Sequence, residues 1–202
     1  GSGVIDGAHA SVSADGLAWS DYGPAPLFSN STTDDKFDLW RNPLDGQYSL
    51  FTRPKPTPPR KTDLSRSSNF SSWTTPAPAF RADAADSGVT EFYGCAGPVL
   101  LGGLLIFFLR ILRDDINHGD PLRGSGYTVL AWSRDGLTFS RSRQPWLSGI
   151  PGTFDEAIAW VNGAVERNGT LYLAYTGYDL GHKEGNRVVG LATLPAAELS
   201  LE

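Results

Sequence analysis

Apolar and polar positions change places in short bursts along this chain, and no burst keeps a helical rhythm. The stretches Phe37-Asp-Leu-Trp40, Gln47-Tyr-Ser-Leu-Phe-Thr-Arg53, Thr90-Glu-Phe-Tyr93, Gly103-Leu-Leu-Ile-Phe-Phe-Leu-Arg110, Ala157-Ile-Ala-Trp-Val161, Thr170-Leu-Tyr-Leu-Ala-Tyr-Thr176 and Arg187 to Leu194 are rich in β-branched and aromatic residues. Turn formers separate them: Pro43-Leu-Asp-Gly46 joins one pair and Arg167-Asn-Gly169 another, because Asn and Gly accept positive φ cheaply. No segment sustains a 3.6-residue apolar period over 11 or more residues. The chain is predicted to be all-β. Phe92 to Leu109 is a run of 18 residues without a charge, the crude length of a membrane span. Glycines and Pro98 interrupt it, so it reads as two buried strands with a turn between them.

A short motif recurs. "SADGLAW" begins at Ser13, "SSNFSSW" at Ser67 and "SRDGLTF" at Ser133, spacings of 54 and 66 residues. Ser and Asp side chains in such a turn bond nearby backbone amides, Gly takes the positive φ, and the aromatic residue packs beneath. The turn is therefore a structural staple rather than a catalytic element. A repeat of this length with about four short strands is the size of a propeller blade. The reading is a β-propeller of four-stranded antiparallel blades forming one domain over 1–202. Its repeats run over about 10–62, 63–126 and 127–186, with a closing strand at 187–194. The third strand of each repeat should be the most apolar, and "LLIFFL" and "LYLAY" suit that place. Three to four blades fall short of a closed ring, which leaves three outcomes: a degenerate blade, a missing N-terminal portion, or homo-oligomers that cover the open edge.

Composition narrows the partners. The 202 residues are 40% hydrophobic with a net charge of −5, which does not favour nucleic acid or an anionic membrane. Cys95 is the single cysteine, so no intramolecular disulfide forms. Methionine is absent, and Gly1-Ser2-Gly3 reads as a remnant of an excised piece. Sequons at Asn30, Asn69 and Asn168 lean towards a secreted protein. His9, His118 and His182 are scattered, Arg113 to Asp115 with Asp120 reads as a solvated loop, and no phosphate-binding loop is present. No metal and no cofactor is expected.

The order "SADGLAW", "FDLWRNPLDGQYSLFTR", "RSSNFSSW", "LAWSRDGLTF", "GTFD", "LYLAYTGYDLGHK" and "VGLATL" resembles the five-bladed β-propeller glycosidase-like proteins related to glycoside hydrolase families 43 and 32. The likeness runs from about Ala10 to Leu194. In many such proteins Tyr175-Thr-Gly-Tyr178, Gly181-His-Lys183 and Val189 to Leu194 have counterparts that close the last blade. The repeated turn also resembles the Asp-box of sialidases, whose arginine triad Arg53, Arg110 and Arg123 would have to supply. The resemblance implies a carbohydrate partner in the central channel and a glycoside hydrolase. The alternatives are a degenerate propeller that binds sugar or protein without catalysis, and a sialidase-like propeller.

Glycoside hydrolysis sets two carboxyl groups on either side of the scissile bond. In a propeller these stand on innermost strands, which points to carboxylates inside aromatic segments. Glu91 lies in an uncharged run whose low polarity suits a general acid, with Asp38 or Asp155 as its partner. Asn42, in "WRNP", stands where related enzymes carry Asp before Pro; there a tuning carboxylate has become an amide, unless Asp38 fills that role. Arg53, His182 and Asn42 are candidates to bond sugar hydroxyls, and Trp40 and Trp160 to stack on a sugar ring.

Overall fold

The computed structural model describes residues 7–23, 27–29, 33–86, 91–113 and 124–201. Among them there is no α-helix, only a turn of 3-10 helix at Ala196–Glu198. Near the N-terminus β1 (Gly7–Ala8) pairs with β4 (Phe28–Ser29), and β2 (Ser11–Val12) pairs with β3 (Ser20–Asp21). A four-stranded antiparallel meander follows, β5 (Thr33–Arg41), β6 (Tyr48–Pro54), β7 (Thr62–Ser67) and β8 (Ala77–Phe80). The next has the same plan: β9 (Glu91–Leu101), β10 (Leu104–Arg113), β11 (Ser125–Ser133) and β12 (Ser140–Arg141). The last is three-stranded, β13 (Ile158–Arg167), β14 (Thr170–Tyr178) and β15 (Arg187–Pro195).

One parallel bridge, Gly126 to Ile158, ties β11 to β13. That approach needs glycine, since a Cβ at Gly126 would lie 2.7 Å from the Trp160 indole nitrogen and 2.8 Å from the Ile111 carbonyl. Strands so arranged, with successive meanders facing one another, are propeller blades. The first strands β5, β9 and β13 lie side by side and line the inner wall. The uncharged run Phe92 to Leu109 is two strands turning at Gly102-Gly103, both at positive φ.

The repeated turn joins the third strand to the fourth, β7 to β8 and β11 to β12, with the first copy between β2 and β3. The expectation that "LLIFFL" and "LYLAY" occupy third strands is corrected: β10 and β14 are second strands. The reason is packing. A second strand is sandwiched by neighbouring sheets, and β6 and β10 are buried on both faces at every position but their first and last. One apolar core lies between the β5–β8 and β9–β12 sheets, built on Trp40, Phe51, Phe80, Phe92 and Phe107. A second lies between β9–β12 and β13–β15, around Ile106, Phe108, Val161 and Leu171.

Each turn is made the same way. Ser13, Ser67 and Ser133 Oγ each accept a backbone N–H at 2.8 Å, from Gly16, Phe70 and Gly136. Oδ1 of Asp15, Asn69 and Asp135 then accepts the next two amides at 2.8 to 3.0 Å. These backbone amides hold the Asp135 carboxyl below its ordinary range.

Candidate functional site

Asp38 stands on β5 where three sheets meet. Its Oδ2 accepts the Cys95 amide of β9 at 3.0 Å, and Arg110 of β10 forks onto both its oxygens at 2.9 and 3.1 Å. The Lys36 ammonium lies 2.9 Å from Oδ1. The other Arg110 nitrogen donates to Asn162 Oδ1 on β13 at 2.7 Å, and Asn162 donates in turn to Thr176 Oγ1 of β14. A cation in the apolar strand β10 must be paired, because desolvating it alone is prohibitive. Gly94 makes the room: a Cβ there would sit 2.6 Å from the Arg110 guanidinium. The result is a polar chain crossing all three inner strands, with Arg110 buried, Asp38 partly open and Asn162 exposed.

Tyr93 continues this wall on β9. Its ring stacks on Trp160 at 4.4 Å, carries the Arg53 and Arg60 guanidinium groups at 4.6 and 5.3 Å, and meets His182 edge-on at 4.9 Å. Arg53 also donates to the Tyr93 carbonyl at 2.6 Å and pairs with Asp34 at 3.1 Å. Lys36, Asp38, Arg53, Tyr93 and Gly94 pack together between the two groups and leave no room for a water molecule there. Buried Glu91, at the start of β9, is held by an ion pair with Arg60.

The structure thus gathers Asp38 of β5, Arg53 of β6, Glu91 of β9, Trp160 of β13 and His182 of the loop after β14 around Tyr93 and Arg110. It sets the other three apart. Trp40 packs on Phe51 and Phe107 in the first core. Asn42 is fully buried beneath the third copy of the turn, donating to the Asp135 carbonyl at 3.2 Å and accepting the Leu44 amide at 3.0 Å. Asp155 is buried in the loop before β13, bonded by Tyr175 at 3.1 Å and by the Thr153 hydroxyl. Burial, then the bond to Asp155, pushes the Tyr175 phenol up. Trp160 offers no open face either: it is 3% exposed and its indole donates to the Ile111 carbonyl.

Sequence reading missed Lys36, Tyr93 and Asn162, and weighed Arg110 only for a sialidase triad. One signal was present, since Arg110 is the single charge within Leu104 to Leu112 and a buried arginine calls for partners. Cys95 beside it is fully buried, and that burial, with the Asp38 charge next, pushes its thiol well up, so it is no nucleophile. His118, Arg123 and the sequon at Asn30 lie outside the described residues, as does most of the Arg113 to Asp115 loop with Asp120.

No family model and no curated protein matches this sequence. Solved structures do. A glycosyl hydrolase from Bacteroides ovatus matches at TM-score 0.65 and 15% identity, over 94% of this chain and 58% of that one. A β-1,2-mannobiose phosphorylase from Listeria innocua, in complex with β-1,2-mannobiose, matches at 0.68 and 13%, over 94% of this chain and 51% of its own. A third belongs to glycoside hydrolase family 130, described as mannoside phosphorylases that include hydrolases of β-1,2 linkages in Candida mannan; it matches at 0.60 and 15% identity, over 95% and 58%. The likeness establishes a shared fold, and this chain spans between half and three fifths of those structures.

Proposed function

We propose that this chain acts on carbohydrate at the inner wall formed by β5, β9 and β13, with Asp38 as the carboxylate that meets the sugar. The observation that carries this reading is the chain Lys36, Asp38, Arg110, Asn162 and Thr176, drawn from three sheets and open to solvent at Asp38 and Asn162. Asp38 and the Asn162 amide oxygen, bridged by Arg110, present oxygen acceptors to sugar hydroxyls, while the Asn162 amide nitrogen is taken up by the Trp160 carbonyl and Thr176 Oγ1. Arg110 and Lys36 fix the Asp38 carboxylate in place before a ligand arrives. The fold shared with a glycosyl hydrolase and a β-1,2-mannobiose phosphorylase supports cleavage of a glycosidic bond, with Glu91 as the second carboxyl group.

A specific observation favours a second reading, binding without hydrolysis. Glu91 is ion-paired with Arg60, and Asp155 is closed in by hydroxyls, so neither stands as an uncommitted acid. One experiment separates the two. The protein is assayed on aryl glycosides, fructans, arabinans and β-1,2-mannobiose, the last with and without phosphate, while sugar binding is followed by calorimetry. Cleavage reduced at least about a hundredfold by both Asp38→Asn and Glu91→Gln supports hydrolysis. Binding without turnover, weakened by Asp38→Asn alone, supports the second reading. Binding and turnover indifferent to Asp38→Asn would remove this wall from the function.

A further inference from the structure

Inside the molecule, two of the three turn aromatics dock on the sheet before them. Phe139, at the end of the third copy, packs on Phe51 and Phe80 of β6 and β8 at 5.7 and 5.0 Å. Trp73, at the end of the second, meets Phe28 of β4 at 5.8 Å. Trp19 holds the same place in the first copy and is 64% exposed, with Leu17 beside it at 87%. At the other end of the stack, the last sheet presents one face that nothing among the described residues covers. The β14 and β15 registers place Tyr172, Ala174, Val189 and Leu191 on that face, continued by Val165 of β13. Val189 and Leu191 are 77% and 74% exposed, an apolar area of the kind that marks an interaction surface.

We infer that copies of this chain associate head to tail, the hairpin of β2 and β3 from one copy docking on the β14–β15 face of the next. The template is internal: the two ends are the unpaired halves of a contact that the molecule already makes twice, turn aromatic against preceding sheet. Charge agrees with it. Residues 11–21 carry Asp15 and Asp21 and no cation, whereas 187–195 carry Arg187 and no carboxylate, all three exposed. The contact is heterologous, so repetition closes a ring or extends a filament according to the angle between copies. This inference stands apart from the reading of the inner wall.

Sedimentation velocity from low to high micromolar protein tests it, using Trp19→Asp and Leu191→Asp. Both residues are exposed, and Val189→Lys serves as a second variant of the last sheet. The expected result is self-association of the native chain, monomers for each variant alone, and a one-to-one dimer when the two variants are mixed. The mixture pairs the intact hairpin of one with the intact sheet of the other. A native chain that stays monomeric overturns the inference. So does continued self-association of Trp19→Asp alone, which would mean sheet against sheet, and so does a mixture that remains monomeric.

Discussion

The turn at Ser133 and the turn at Ser13 have the same hydrogen bonds and opposite surroundings. In both, the Ser hydroxyl accepts the Gly amide at 2.8 Å and Asp Oδ1 accepts the two amides that follow. Yet Phe139 lies among Phe51, Phe80 and Phe107, while Trp19 faces solvent. The hydrogen-bonded loop is thus a product of local sequence, formed whether or not a neighbour is present. What the turn contributes to stability depends on the sheet that receives its aromatic residue.

Removing that residue gives the largest expected difference. Phe139→Ala should destabilise the protein by about 3 kcal/mol, the low end for truncating a core phenylalanine, because Phe139 is only partly buried. Trp19→Ala at dilute concentration should stay within about 0.5 kcal/mol, as exposed substitutions do. Denaturant unfolding of the two variants measures both. Equal losses would show that the aromatic residue acts within its own turn.

A change beneath the turn comes next. Asn42 bridges the β5–β6 loop to the Asp135 carbonyl, so Asn42→Asp replaces a buried donor by a carboxylate facing an oxygen. The expected cost is about 2 kcal/mol. The comparison with enzymes that carry Asp before Pro suggests the opposite, that the substitution would restore a catalytic group. Loss of stability with no gain in glycoside cleavage is the outcome the burial of Asn42 requires, and a gain in turnover would place this loop in the site after all.

Strands and turns were legible because β-branched and aromatic bursts, Asn-Gly and Asp-Gly leave local signatures. The order of strands within a sheet was not. "LLIFFL" is apolar because both its faces are packed, a property that says nothing about its being second or third. Asp38 was legible as a carboxylate inside an aromatic strand. Its partner Arg110 is 72 residues away, and the pairing of β9 with β10 together with the approach of β5 to β9 brings them together. Trp40, Trp160 and Asn42 show the same limit from the other side. Residue type is compatible with sugar contact at all three, but register and neighbouring sheets decide which faces are covered, and here they cover them.

The smallest effect concerns charge within the turn. The second copy already uses an amide, Asn69, to accept the two amides that Asp15 and Asp135 accept elsewhere. The carboxyl of Asp135 is held low first by the Thr138 amide and then by that of Leu137. A depressed carboxyl adds stability that is present above its unfolded pKa and is lost as pH falls through the folded value. Asp135→Asn keeps an acceptor and removes the titration, so the native protein should lead the variant slightly at pH 7. Below the ordinary aspartate range of about 4 that lead should shrink, as protonation takes away what the substitution took away. Melting curves of both proteins between neutral and acid pH follow the difference. A gap that stays constant through the acid range would mean the carboxylate acts in this turn by shape alone, as Asn69 does.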